Sequence, residues 1–323
     1  MNRPGRNLLL TCSASVAVAL VCSSCLLGAE EVPGYPGYLL RTFDCSGFGE
    51  PTACCFSSDG LFAVASAGQN LLFFELRHRN LYGNTALDSD VIAVVAVPDE
   101  GELLALTEQR LFVVSLSGFT VSAEVDLEEA AAWLSISPDG SSVWVLHTDG
   151  FLTRIAPSGW SVLSYDSLEI GEPSGLAVSD NGTSLFVGSN GDSTICRLDA
   201  QDLERTGECE VYNTVISLFD GSEGMVCALV EGSNEIWFID EVSCTVDNMM
   251  TVPGVPLCGA STSDGSFAYA GVPGTGLVVC SRSGELVLKT SAYGLPSSIA
   301  LDNEGWNAVI CSADQMSISI LEK

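Results

Sequence analysis

Histidine, cysteine and carboxylate side chains carry most metal, nucleophilic and acid–base chemistry. This chain holds 2 His, 13 Cys and 41 Asp+Glu among its 323 residues. His78 lies in "LRHRN", in a loop after a strand, and His147 ends "SSVWVLH", a strand of a different segment. A zinc site or a Ser-His-Asp relay needs more converging parts than two separated histidines supply. Both therefore read as unrelated surface side chains, and no metal-ligating set and no catalytic residue is assigned. From Cys45 onward ten cysteines remain, and none forms a CxxC pair, which argues against zinc-ribbon or thioredoxin-like chemistry. Most read as small apolar fillers of strands, and adjacent Cys54 and Cys55 should point to opposite faces of one strand.

The charge balance narrows the partner classes. Lys+Arg number 12, the net charge is −29 and the pI is near 4.1. No basic patch on such a chain can neutralise phosphates, so a nucleic-acid partner is excluded. The one concentrated positive stretch, Arg77-His78-Arg79, reads as a solvated turn. Residues 1–24 form an export segment: Arg3 and Arg6, then the uncharged run "LLLTCSASVAVALV", too short for a comfortable transmembrane helix. It ends in "VCSSC", which resembles the lipobox of bacterial lipoproteins and implies lipidation of Cys25. Cys22 departs from that motif, where Leu is usual, and cleavage after Ala29 would instead leave a freely secreted product. Residues 25–37, rich in Gly and Pro, read as a flexible tether, and 38–323 as one domain. The expected location is a bacterial envelope, at the outer membrane or periplasm, with membrane contact through the N-terminal lipid only. Export permits disulfides, and Cys196 and Cys209, which flank "RLDAQDLERTGE" symmetrically, are the expected pair.

The elements that must position these residues repeat. A turn phrase occurs as "SSDG", "VPDEG", "SPDG", "SDNG", "FDGSEG", "TSDG" and "LDNEG", its final Gly falling at 60, 101, 140, 182, 224, 265 and 305. Pro51, Pro173, Pro256 and Pro296 each stand nine residues before one of these glycines. An apolar strand follows each turn, as in "LLFFEL" (71–76), "TICRLD" (194–199) and "EIWFID" (235–240). Asp-Gly and Asn-Gly turns supply the positive φ of a tight hairpin. Each unit is thus a hairpin plus a third strand, with room for a fourth such as "FTVSAEVDL" or "SVLSYDSL". A four-stranded sheet of this size cannot bury both faces alone, whereas copies packed around an axis can. The expected fold is all-β, a seven-bladed propeller of four-stranded antiparallel blades. The seventh repeat ends after its third strand, so the segment 38–44 should close the ring by pairing with 317–322.

The stretches "SLFVGSNGDSTICRLD" and "WLSISPDGSSVWVLHTDG" resemble the YVTN-type propeller repeat, and the similarity extends over all seven units. The resemblance implies the fold and little about activity, because the superfamily includes lactonases, haem-binding domains, surface-layer proteins and many lipoproteins. No lactonase residue can be placed position by position here.

A propeller would sort the carboxylates by face. Loops entering the first strands of blades one to four carry Glu50, then Asp88 and Asp90, then Glu128 and Glu129, then Glu169 and Glu172. The entries to blades five to seven, "VYNTV", "TVPGVP" and "AYGLP", carry none. Loops joining second to third strands add Glu108, Asp149, Asp192, Glu231, Glu235 and Asp314 to the same face. This acidic rim suits a basic partner segment or Ca²⁺, against the plainer reading that carboxylates simply solvate exposed loops. The functional expectation is a monomeric binding or scaffold module for a protein or small ligand, without a required cofactor. The rival expectations are a lactonase-like hydrolase with a carboxylate-rich channel mouth and a partner in outer-membrane assembly or surface attachment.

Overall fold

A computed structural model describes residues 29–31, 39–78, 80–302, 305 and 307–322 of the chain. Seven antiparallel sheets follow one another along the sequence. Blade one is built from Pro51–Phe56, Phe62–Ala67, Asn70–Glu75 and Asn80–Ala86. Blade three comprises Ala131–Ile136, Val143–His147, Phe151–Ala156 and Ser161–Ser167. Blade four comprises Pro173–Val178, Ser184–Ser189, Thr194–Asp199 and Arg205–Glu210, and blade five Val215–Ser222, Met225–Val230, Glu235–Asp240 and Thr245–Thr251.

The repeated turn phrase has a shared local cause. The glycines at 60, 101, 140, 182, 224, 265 and 305 all have φ between +47° and +75°. In four blades a hydroxyl at the start of the phrase accepts the N–H that opens the second strand. Phe62 N donates to Ser57 Oγ (2.9 Å), Ser142 N to Ser137 Oγ (3.0 Å), Ser184 N to Ser179 Oγ (2.9 Å) and Phe267 N to Thr262 Oγ1 (3.1 Å). Side-chain oxygens thereby satisfy backbone donors that the hairpin leaves unpaired.

Burial rises and falls across each blade. Second and third strands are buried on both faces, as in Phe62–Ala67 and Asn70–Glu75, while fourth strands such as Asn80–Ala86 lie mostly in water. The core is accordingly divided into seven seams, each drawing side chains from two neighbouring blades. Trp144, Leu146 and Leu152 of blade three meet Leu176, Leu185 and Val187 of blade four in one of them. Cys54, Phe56 and Ala63 of blade one meet Val309, Cys311 and Ile318 of blade seven in another. Pairing of the first strand with the second slips near its start in six blades, for example between Pro173 and Gly175. Such bulges add twist, which a radial arrangement of blades requires.

The chain ends close the ring. Leu39–Asp44 pairs antiparallel with Ser317–Glu322 in unbroken register from Leu39↔Glu322 to Asp44↔Ser317, completing blade seven. A three-residue strand, Ala29–Glu31, lies within the segment expected as a tether and adds a fifth strand to the outer edge of blade six against Leu288–Thr290. The other tether residues, Cys25 among them, and the export segment 1–24 lie outside the described residues.

Candidate functional site

All seven carboxylates of the expected acidic rim are exposed. They occupy consecutive loops that carry the chain from one blade into the next, so blades one to four contribute to one rim. Glu108, Asp149, Asp192, Glu231 and Asp314 stand on that same rim, between second and third strands, and Glu235 opens a third strand there. Glu128, Glu129 and Asp149 act together on Tyr165. Burial of that ring, and then the field of Asp149, Glu129 and Glu128, raises its hydroxyl pKa. Part of the rim is already neutralised. Arg110 binds Asp88 at 2.7 Å, Asp126 at 3.0 Å and Glu124 at 3.5 Å. Among the described residues the rim carboxylates form no group of three whose oxygens converge on a point, so the rim is a spread field and not a chelate.

The histidines do not meet, being at opposite ends of their blades. His78 is exposed and its Nδ1 lies 2.6 Å from Glu75 Oε2 in the turn after a third strand. His147 departs from the surface role expected of it: the side chain is fully buried, with Nδ1 3.0 Å from the Glu129 carbonyl and Nε2 2.7 Å from Thr153 Oγ1. It closes a second strand, and second strands are covered on both faces. Both ring nitrogens of His147 are occupied by structural partners, so neither is free to act as a base.

The expected Cys196–Cys209 bridge is corrected by the register. Cys196 stands opposite Glu208 and Cys209 opposite Ile195, one residue out of step. Side chains alternate across a strand, so the two thiols point to opposite faces. Cys196 enters the seam with blade three and Cys209 the seam with blade five, and both are free thiols. Burial raises the pKa of each. Cys54 and Cys55 do take opposite faces, entering the seams with blades seven and two.

One cluster was not anticipated. On the rim opposite the carboxylate loops, Asp180, Asp220 and Glu241 place their oxygens within 4.8 Å of one another at the seam of blades four and five. The Asp180 N–H donates to Glu241 Oε1 at 3.0 Å, and Gly224 N donates to Asp180 Oδ2 at 2.6 Å. Glu241 is only 7% exposed. Burial first, then the charges of Asp180, Asp220 and Asp240, push its carboxyl up to about 7. Desolvation by the crowded seam, and then the neighbouring Asp180, push the Asp220 carboxyl up to about 6 against one lowering hydrogen bond from Ser222, although the residue as a whole is exposed. Arg197 crosses the same seam, its Nη1 donating to the carbonyls of Glu241 (2.9 Å) and Val242 while Nη2 donates to Thr206 O (3.0 Å). These residues are far apart in sequence: Asp180 lies in the turn between a first and a second strand, Asp220 near the end of a first strand and Glu241 just after a third strand. Only the cross-seam packing brings them together.

The backbone matches solved propellers over most of its length. The crystal structure of the Myceliophteria thermophila Cps50 (Swd1) β-propeller domain superposes with a TM-score of 0.77 at 11% identity, covering 89% of this chain and 100% of that one. Hydrazine synthase of Kuenenia stuttgartiensis gives 0.75 at 15% identity, covering 91% of this chain and 99% of that chain. At such identities the likeness establishes the seven-bladed fold alone. No protein-family model matches the chain, and no curated protein matches it either.

Proposed function

We propose that this chain is an exported, lipid-anchored propeller of the YVTN type that works as a monomeric binding module, gripping a basic segment of a partner protein through the acidic rim. One observation carries the reading: exposed carboxylates recur in the entry loops of four adjacent blades on a single face, while the remaining entry loops carry none. A rigid ring with loops on its rim is a suitable platform for such contacts. An asymmetric crescent of one charge sign steers a partner of opposite sign and sets its orientation. A basic segment suits the rim better than Ca²⁺, because a spread field fits an extended polycation and a hard cation needs several oxygens at one point. The lipid anchor is inferred from "VCSSC" and the apolar run before it.

The test is a pull-down from solubilised membranes with the wild-type chain and with Glu128→Lys/Glu129→Lys/Glu169→Lys. A partner retained by the wild type, released by moderate salt and lost by the triple variant supports the reading. Retention that ignores both salt and charge reversal overturns it. A lactone-hydrolysing activity abolished by Glu128→Gln would replace the binding role with a catalytic one.

A further inference from the structure

The seam between blades three and four holds a cavity of about 500 Å³ on the rim opposite the acidic loops. Its wall includes Trp144, Arg154, Asp139, Asp199, Ala200 and Gln201. The next seam shows one way in which this place is bridged. Register makes the two seams directly comparable: Trp144 stands opposite Arg154 in blade three as Phe186 stands opposite Arg197 in blade four. The third strands end at Asp199 and Asp240, so Ala200 corresponds to Glu241 and Gln201 to Val242. In the turn phrases, Pro138 corresponds to Asp180.

At the seam of blades four and five side chains bridge this place. Glu241 folds in to accept the Asp180 N–H, and Arg197 reaches across to two carbonyls. At the seam of blades three and four both halves of that closure are missing. Ala200 has no carboxylate to insert, and Pro138 has no N–H to be capped. Arg154 stays within its own blade, donating from Nε (3.3 Å) and Nη2 (3.0 Å) to Ser142 Oγ, with its Cζ 5.9 Å from the centroid of the Trp144 ring.

Two donors at this place lack acceptors. Arg154 makes no ion pair among the described residues, in a chain with 41 carboxylates, and its Nη1 has no hydrogen-bond partner there. The Trp144 indole N–H is buried without a partner, and the side chain is 1% exposed. A buried unpaired donor and a guanidinium without a carboxylate partner call for an oxygen acceptor, best an ionised one. The surroundings then limit which acceptor. Asp139 and Asp199 also line the space, and hydrogen bonds from Ser137 and Ser141 hold Asp139 down at about 2, so it is ionised. A bare anion is repelled by these two carboxylates. A molecule with a carboxylate and, beside it, hydroxyl or ammonium donors meets both parts of the lining.

We propose that the open seam of blades three and four is a binding site for a small carboxylate bearing adjacent hydrogen-bond donors, an amino acid or a sugar acid. Its carboxylate sits against Arg154 and reaches the buried Trp144 N–H as the side chains lining the seam part, and its donors face Asp139 and Asp199. The volume suits a ligand of that size. The site lies on the face away from the acidic rim and stands independently of the partner proposed there.

Titration calorimetry of the full chain with glycine, glucuronate, acetate and glucose tests it. Saturable binding of glycine or glucuronate is expected, with acetate weaker and glucose silent; which of the first two binds identifies the source of the carboxylate. Arg154→Gln should weaken binding at least about tenfold, as loss of a charge-assisted contact does, and Trp144→Phe, which keeps the ring, should weaken it by a smaller factor. Unchanged circular dichroism and melting in both variants separate lost binding from lost folding; if Arg154→Gln does not fold, Trp144→Phe alone decides. Binding of glucose equal to that of glucuronate, acetate as tight as glycine, retention of binding in the variants, or no saturation by any of the four would overturn the assignment.

Discussion

Glu241→Gln should make the fold less sensitive to alkali, and the size of the effect follows from where the carboxyl sits. Its ordinary pKa is 4.5, and burial with Asp180, Asp220 and Asp240 around it moves this to about 7 in the folded chain. The protonated form is thus the one the native state prefers. Below pH 4.5 the group is neutral folded and unfolded, and there is no penalty. Between 4.5 and 7 the unfolded chain releases the proton while the folded chain keeps it, so stability falls as pH rises; above 7 the loss is complete. At about 1.4 kcal/mol per pKa unit, the separation corresponds to at most about 3 to 4 kcal/mol at pH 8, and residual solvent access to the carboxyl reduces it. Glutamine retains an oxygen for the Asp180 N–H but has no charge to expose. Urea unfolding of both proteins from pH 4.5 to 8 is the assay, read as the difference between them so that general self-repulsion of the acidic chain cancels. The variant should gain on the wild type steadily as pH rises, reaching an advantage of roughly 2 to 3 kcal/mol. Parallel curves across the range would refute the reasoning, and so would a wild type that gains on the variant between pH 5 and 7.

Three further outcomes follow from single positions. Gly175→Ala places a Cβ 2.6 Å from Leu218 N, where the first strands of blades four and five meet, and should cost about 1–3 kcal/mol in chemical unfolding through overpacking. Ile318→Ala removes a fully buried side chain from the seam beside the ring closure, with an expected loss of about 2–5 kcal/mol that a melt should register as a clear drop. Alkylation of the denatured chain without reductant should modify both Cys196 and Cys209, and mass spectrometry should find no peptide linked through them, because their side chains occupy different seams.

The repeat was legible because its determinants are local. A turn glycine held at positive φ leaves the same mark wherever it occurs, and seven marks at intervals of 39 to 42 residues establish seven hairpins without knowledge of any contact between them. Even the ring closure could be read, since the strand Leu39–Asp44 precedes the first repeat with no hairpin partner of its own, and it pairs with Ser317–Glu322. The loops carrying the acidic rim follow from the same count, because blade topology alone decides which loops share a face.

What lay beyond the sequence depended on register and on cross-seam packing. Cys196 and Cys209 look symmetric along the chain, but a slip of one residue sends them to opposite faces. His147 looked like a strand-end surface residue until neighbouring blades covered it. The meeting of Asp180 with Glu241, and the gap where Pro138 and Ala200 replace them, are invisible in any one repeat, since each arises between two. Local hydrogen bonding in the turn is written in adjacent residues, and so the chain by itself determined its blades, their number and their order. The charge state of Glu241 and the unmet donors of Arg154 and Trp144 were decided only when one blade came to rest on the next, because burial and apposition are properties of the packed seam.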